Sequence, residues 1–370
     1  MKLLQLVSCR GWSSDAYWAA RVSRELERRG HTVTLGCRRG TEQAVGERAR
    51  REGVGRIVTF GFAGGLRPAT DVADVRELRA AIAAADVVHV HRGKEHWLAV
   101  LAARLAGGRP VVRTRHIAQA VRPHAGNRWL YGHATALVVA VTEAIRGQCL
   151  AAGLLPPARI VTLAGGADAD AYRPLPPDPA WRQRLGAEDG RPLVGLVAGL
   201  RVMKGHRVVI EALAQLAGQG VRPRVAFVGR GAMEPALREA VARVGLERQV
   251  TFAGFVDDGP AAMAALDVAL YVPLESDGMS RVVFEYLAAA RPLIASRVGV
   301  VAETLVDGEH AVLVPAGDPP ALASALTALL DDGPRRARLA DAGRRLVVER
   351  YSGARLAASL ESCYTRLTAA

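Results

Sequence analysis

Two series of short apolar runs, separated by a proline-rich stretch, dictate the architecture of this chain. The first series is Leu3–Val7, Thr32–Cys37, Arg56–Phe60, Val87–His91, Val111–Arg115, Leu137–Val141 and Ile160–Leu163. The second is Leu193–Val197, Arg224–Val228, Val250–Ala253, Val268–Val272, Leu293–Ser296 and Ala311–Val314. Longer amphipathic segments such as His206–Gly218 and Pro320–Leu330 lie between the runs, and this alternation predicts parallel strands joined by crossover helices. Most runs are apolar at consecutive positions, which means burial on both faces between helix layers. The stretch Arg173-Pro174-Leu175-Pro176-Pro177-Asp178-Pro179 is read as a linker. The expected fold class is α/β, two doubly wound Rossmann-like domains over 1–170 and 171–350 facing a cleft. A C-terminal helix within 351–370, near Ala354–Leu367, is expected to pack across the domain boundary.

Composition narrows the classes. Half of the 370 residues are apolar and 23% are charged, which excludes disorder, and no apolar run reaches the ~18–20 residues that span a bilayer. Cys9, Cys37, Cys149 and Cys363 are too dispersed for a zinc knuckle and too few for a disulfide scaffold, so a reducing, cytoplasmic setting is expected. The N-terminal Leu-Val-Ser-Cys is read as part of a first strand, its apolar stretch being short of the ~7–15 residues a signal needs. Net charge is +13 and uneven: residues 1–170 carry 25 Lys and Arg against 14 Asp and Glu, residues 171–370 carry 24 against 22. Such a field attracts phosphorylated substrates, anionic lipid or nucleic acid alike. Nucleic acid is disfavoured, because no recognition motif or aromatic interleaving accompanies the charge.

In open parallel sheets ligands bind beyond the carboxyl ends of the strands, so the strand-to-helix loops are where chemistry is sought. After Leu193–Val197 comes Ala198-Gly199-Leu200-Arg201-Val202-Met203-Lys204-Gly205, with two cations suited to a diphosphate among glycines that let a backbone approach it. Lys204 stands out because Lys2 and Lys94 are the only other lysines among 49 basic residues. Val228-Gly229-Arg230-Gly231 follows the next strand without completing a dinucleotide fingerprint, which disfavours a nicotinamide-dependent dehydrogenase. In Glu275-Ser276-Asp277-Gly278-Met279-Ser280-Arg281-Val282-Val283-Phe284-Glu285 two acids eight positions apart bracket a glycine loop and an apolar helix. Glu285 within that helix is either a core glutamate paired with an arginine or a carboxylate that accepts the hydroxyls of a ribose.

Together with Arg291-Pro292-Leu293-Ile294-Ala295-Ser296 and Gly299-Val300-Val301-Ala302-Glu303, these segments resemble the retaining GT-B glycosyltransferases, family 4, over essentially the whole chain. The resemblance implies a nucleoside diphosphate sugar donor, UDP or GDP in type, on the C-terminal domain. Donor contacts would come from Gly199, Arg201, Lys204, Gly229, Arg230, Phe255, Asp277, Gly278, Met279, Ser280, Arg281, Val282 and Glu285. Arg201 and Lys204 would hold the diphosphate and Asp277 the donor sugar, with Glu275 as the alternative first acid. On the N-terminal side Gly11, Trp12, His91, Arg92 and His116 would face the acceptor, a glycan or glycolipid. His116 matches the histidine beside the reacting sugar, which makes the catalytic set His116, Arg201, Lys204 and Asp277, whereas His89 reads as a core residue. No cofactor or metal is implied. The setting implied is the cytoplasm or the inner face of the cytoplasmic membrane, in cell-surface polysaccharide or lipopolysaccharide assembly. A sugar-nucleotide epimerase and a catalytically weak binding subunit on the same fold are the alternatives.

Overall fold

The computed structural model describes residues 1–369 apart from Asp277 and Met279. The chain forms two compact units, one of Met1–Gly166 together with Gly353 onward, the other of Ala167–Ser352.

Unit 1 is a seven-stranded sheet of β1 (Lys2–Val7), β2 (Thr32–Arg38), β3 (Arg56–Phe60), β4 (Val87–Val90), β5 (Val111–Arg115), β6 (Leu137–Ala140) and β7 (Ile160–Thr162). Its order is β3-β2-β1-β4-β5-β6-β7, parallel throughout. Unit 2 repeats the plan with six strands, β8 (Leu193–Val197), β9 (Arg224–Val228), β10 (Val250–Gly254), β11 (Val268–Tyr271), β12 (Leu293–Ser296) and β13 (Val312–Val314). Their order is β10-β9-β8-β11-β12-β13, again parallel. All thirteen apolar runs are strands, and the predicted helices His206–Gly218 and Pro320–Leu330 are present as His206–Gly218 and Pro319–Asp331.

In each sheet the first strand lies inside, and the chain winds outward on one side before returning to the other. The order therefore reverses between β1 and β4 and between β8 and β11. At such a switch point the loops diverge to opposite faces and leave a crevice beyond the strand ends.

The linker expectation needs correction. The chain passes between units at Gly166 and Ala167, so the proline-rich stretch lies inside unit 2 and ends by starting a helix, Pro179–Arg184, capped by Asp178. Gly165 and Gly166 carry φ of +97° and +109°, a pair of conformations that L side chains avoid. The chain leaves unit 2 at Ser352, bridged to Ala167, with the Ala167 amide donating to the Tyr351 carbonyl at 3.2 Å.

The C-terminal helix Gly353–Ala369 belongs to unit 1 by its contacts. It lies on the helix Ser14–Arg28 and buries Leu356, Leu360 and Tyr364 at the four-residue spacing of one face. Glu361 on its flank pairs with Arg29 and accepts from His31 Nε2 at 2.9 Å. Because Leu360 is fully buried, Leu360→Ala is expected to destabilise unit 1 by about 2–5 kcal/mol. In denaturant melts only the unit 1 transition should move; a shift confined to unit 2 would refute the assignment of this helix.

Candidate active site

In unit 2 the loop after β8 is held by contacts that only glycine permits. Gly205 has φ +74°, and a Cβ there would stand 1.8 Å from the Val272 carbonyl oxygen at the end of β11. A Cβ on Gly229 would meet the Ala198 oxygen at 2.0 Å, and one on Gly231 the Leu200 oxygen at 2.2 Å. The loops after β8 and β9 thus lie backbone on backbone, joined by the Leu200 amide to the Arg230 carbonyl at 3.1 Å. The Leu274 amide donates to the Met203 carbonyl at 2.9 Å, which closes the loop after β11 onto the same assembly.

Leu200 is fully buried, while Arg201 is exposed and folds back so that its Nε lies 3.6 Å from the Cβ position of Gly199. Arg230, also exposed, passes 3.9 Å from that of Gly254. The switch point of unit 2 therefore gathers Gly199, Arg201, Lys204, Gly229 and Arg230. Phe255, 52% exposed, follows β10 at the rim of the same strand ends.

The helix Arg281–Ala288 begins at the buried Ser280. Gly278, buried with φ +90°, is turned by its amide donating to Ser276 Oγ at 3.3 Å. Glu285 is 2% exposed and forms a charge pair with Arg281 Nε at 2.6 Å, one turn away on the same helix. The arginine partner open from the sequence is thus Arg281, and Val282 lies partly exposed beside it. Tyr286 anchors the helix to β8, its hydroxyl accepting from the Val197 amide at 2.6 Å. Asp277 and Met279 lie outside the described residues.

Unit 1 builds its switch point from side chains. Glu95, fully buried in the helix Gly93–Leu105, accepts from the Arg92 amide at 2.5 Å and the His91 amide at 3.3 Å, fixing the loop after β4. Arg92 Nη2 donates to Asp15 Oδ1 at 3.1 Å, which ties that loop to the one after β1. Burial pushes the Asp15 carboxyl up, but hydrogen bonds from Arg92 and Ser13 outweigh it and bring the pKa down to about 2.

Three histidines stack across β4 and β5, His89 on His91 at 4.8 Å between ring centroids and His91 on His116 at 5.3 Å, with Trp18 packed against all three. His89 is bonded at both nitrogens, to Tyr364 Oη at 2.5 Å and Thr114 Oγ1 at 2.6 Å, a satisfied core residue as read from the sequence. His91 Nε2 donates to Gln5 Oε1 at 2.9 Å, leaving its Nδ1 to accept from His116 Nε2 at 3.0 Å. Neutral His116 is then left with Nδ1 as a hydrogen-bond acceptor. Desolvation drives its pKa down to about 3, with Asp15 opposing and Arg113 reinforcing.

His91, Arg92 and His116 line one cavity of about 690 Å³ with Ser13, Asp15, Trp97, Arg113, Arg115 and Arg122. Gly11 and Trp12 are not brought into that lining. Trp12 packs edge-on against Tyr17 at 6.2 Å and onto the Val7–Leu35 core, and Gly11 has open space around it. Arg113 and Arg115 were missed as site residues. Their signal was present, two charges at alternate positions of a buried strand.

Fold and site together define a two-domain α/β protein of the GT-B class, with one switch point in each domain. Comparison supplies the family. The profile described as "Glycosyltransferase Family 4" matches residues 16–171 and that described as "Glycosyl transferases group 1" matches residues 191–332. A D-inositol 3-phosphate glycosyltransferase of Xylanimonas cellulosilytica is 30% identical over 311 residues, 76% of this chain and 72% of that protein. An alpha-D-kanosaminyltransferase of Streptomyces kanamyceticus is 30% identical over 236 residues, 61% of this chain and 60% of that enzyme's length. The Anabaena protein HepE, solved with UDP, shares the fold at a TM-score of 0.85 and 21% identity, covering 99% of this chain and 100% of its own. The chain belongs to glycosyltransferase family 4.

Two outcomes follow from this geometry. Gly205→Ala should displace the Lys204 loop and weaken any nucleoside diphosphate binding there at least tenfold by titration calorimetry; an unchanged affinity would contradict the loop's dependence on Gly205. Burial also holds His89, His91 and His96 well below the usual histidine range, and His116 with them. These groups stay neutral in the folded state while the unfolded chain takes up protons below pH ~6.5, so stability falls with pH from there. Between pH 7 and pH 5 unit 1 should therefore lose stability through the histidines alone, whereas Asp15 adds to the loss only below pH ~4. A unit 1 melting temperature that is flat from pH 7 to pH 5 would contradict the neutral stack.

Proposed function

We propose that the protein transfers a sugar from a nucleoside diphosphate sugar bound at the β8 switch point to a hydroxyl of a glycan or glycolipid bound in the unit 1 cavity. The observation that carries this reading is the glycine-locked assembly of the loops after β8 and β9, which carry Arg201, Lys204 and Arg230 and are tied through the Leu274 amide to the loop that leads into the Arg281–Ala288 helix. Departure of the nucleoside diphosphate adds negative charge to its terminal phosphate. Fixed cations and a helix N-terminus stabilise that charge without reorganising, in most enzymes the largest catalytic effect. UDP or GDP is the expected nucleotide.

Glu285, held by Arg281, would take the ribose hydroxyls. Gly278 and Ser280 amides would face phosphate and sugar, Val282 would border the sugar, and Phe255 would flank the base. Asp277 and Met279 keep the donor-sugar roles that the resemblance implies. His116, with a pKa near 3, is too weak a base to carry a proton at neutral pH. Its Nδ1 would instead accept a hydrogen bond from a sugar hydroxyl and orient it. We assign retention of anomeric configuration, a reaction without a metal, and a place in cell-surface polysaccharide or lipopolysaccharide assembly at the inner face of the cytoplasmic membrane to this same reading.

Thermal melts with UDP, GDP, ADP, dTDP and CMP test it. One diphosphate at 100 times its dissociation constant should stabilise unit 2 by about 2.7 kcal/mol. Lys204→Ala and Glu285→Ala should each reduce that response. Absence of any nucleotide response would remove the transferase reading and leave a binding subunit of another ligand.

A further inference from the structure

The unit 1 cavity holds more positive charge than its own acids neutralise. Four arginines line it, Arg92, Arg113, Arg115 and Arg122, and Asp15 is the one acid of the lining. Arg113 and Arg115 are 5% and 8% exposed, side by side on one face of β5. Arg113 shares a hydrogen bond with Tyr131, but its Nε and Nη1, like Arg115 Nε, have no hydrogen-bond partner among the described residues. Burying a guanidinium without a counter-charge costs several kcal/mol, so arginines placed this way call for an anion.

The charges can be matched one by one. Asp15 neutralises Arg92 in direct contact. Glu95, buried beside the cavity, acts on Arg113 at range while its Oε1 is occupied by the His91 and Arg92 amides. The buried Arg115 and the solvent-exposed Arg122 at the cavity rim then remain without a carboxylate partner among the described residues. Two surplus cations equal the charge of one phosphate monoester dianion. Donors on two side chains about 7 Å apart along the strand suit a tetrahedral oxyanion, which accepts from several directions, better than a planar carboxylate.

We propose that the acceptor taken by this cavity carries a phosphate group, bound by Arg113 and Arg115 with Arg122 at the rim and His116 at the hydroxyl that receives the sugar. This rests on the cavity being the acceptor site. Trp97 lines both this cavity and an apolar groove of about 860 Å³ formed with Leu66, Val72, Leu101 and Leu105, so the phosphate can be soluble or borne by a lipid.

The test uses the full chain with glycerol 3-phosphate as the soluble probe and vesicles containing phosphatidic acid, a lipid phosphate monoester, as the lipid probe. Glycerol and phosphatidylcholine vesicles are the neutral controls. At least one phosphate probe should bind wild type and Lys204→Ala alike, and Arg113→Gln and Arg115→Gln should each weaken that binding tenfold or more. Arg113→Lys should restore part of it. Melting without ligand shows which variants fold, and if Arg113→Gln does not, Arg115→Gln and Arg113→Lys decide.

No binding by either probe overturns the proposal. So does binding abolished by Lys204→Ala and untouched at Arg113 and Arg115, which would put the anion in unit 2. Phosphate binding at Arg113 in a chain that binds no nucleoside diphosphate keeps the phosphate site but sinks the transferase reading and with it the acceptor role; nucleotide binding without the Arg113 response keeps the transferase reading and overturns the phosphate site.

Discussion

A parallel sheet whose first strand ends up inside it must reverse its winding once, and the molecule's candidate chemistry gathers at the two places where this happens. Beside β1 and β8 the following loops part to opposite faces, leaving backbone groups and loop side chains around a crevice with no neighbouring crossover to cover it. The continuous apolar character of the strands makes this placement robust. With both faces buried under helices, polar groups are tolerated chiefly at strand ends, and the ends at the reversal are the ones with space before them.

The two units fill equivalent positions with different materials. Unit 2 relies on backbone: Gly205, Gly229 and Gly231 let main chains approach within distances that a Cβ would block, so the loop geometry is set by sterics and the cations ride on it. Unit 1 relies on a buried polar layer, Gln5, His89, His91, Thr114 and Tyr364, in which each hydrogen bond fixes the protonation of the next. The first arrangement suits a constant ligand such as a diphosphate. The second can be altered one side chain at a time, which suits the acceptor role proposed for it.

The strands were legible almost to the residue because burial on two faces leaves so plain an apolar signature. The loop glycines were legible for a related reason, since a glycine between a buried strand and a helix has few other uses. The linker was placed a few residues too late: prolines mark a break in regular structure, and at 173–179 they mark only an extended segment and a helix start within unit 2. The true crossing is carried by two positive-φ glycines, whose torsions no one-dimensional pattern displays. Glu285 was legible as anomalous but not its partner, because Arg281 differs from its neighbours only in lying one helical turn away.

Arg113 and Arg115 show where composition misleads. In a chain with 49 basic residues and three lysines, any single arginine looks like background. Several arginines that the structure pairs do lie at the surface beside an acid, as Arg238 does with Glu234 and Arg243 with Glu239, where such pairs contribute little. What distinguishes the β5 arginines is solvent, not charge. Removed from water, a guanidinium acts over short range in a low dielectric, and it becomes selective for whatever anion reaches it. The excess of positive charge in residues 1–170 is therefore a poor guide to specificity taken as a sum. Two buried members of it, held at alternate positions of one strand above a cavity that His116 also faces, are what the electrostatics of unit 1 can turn into recognition.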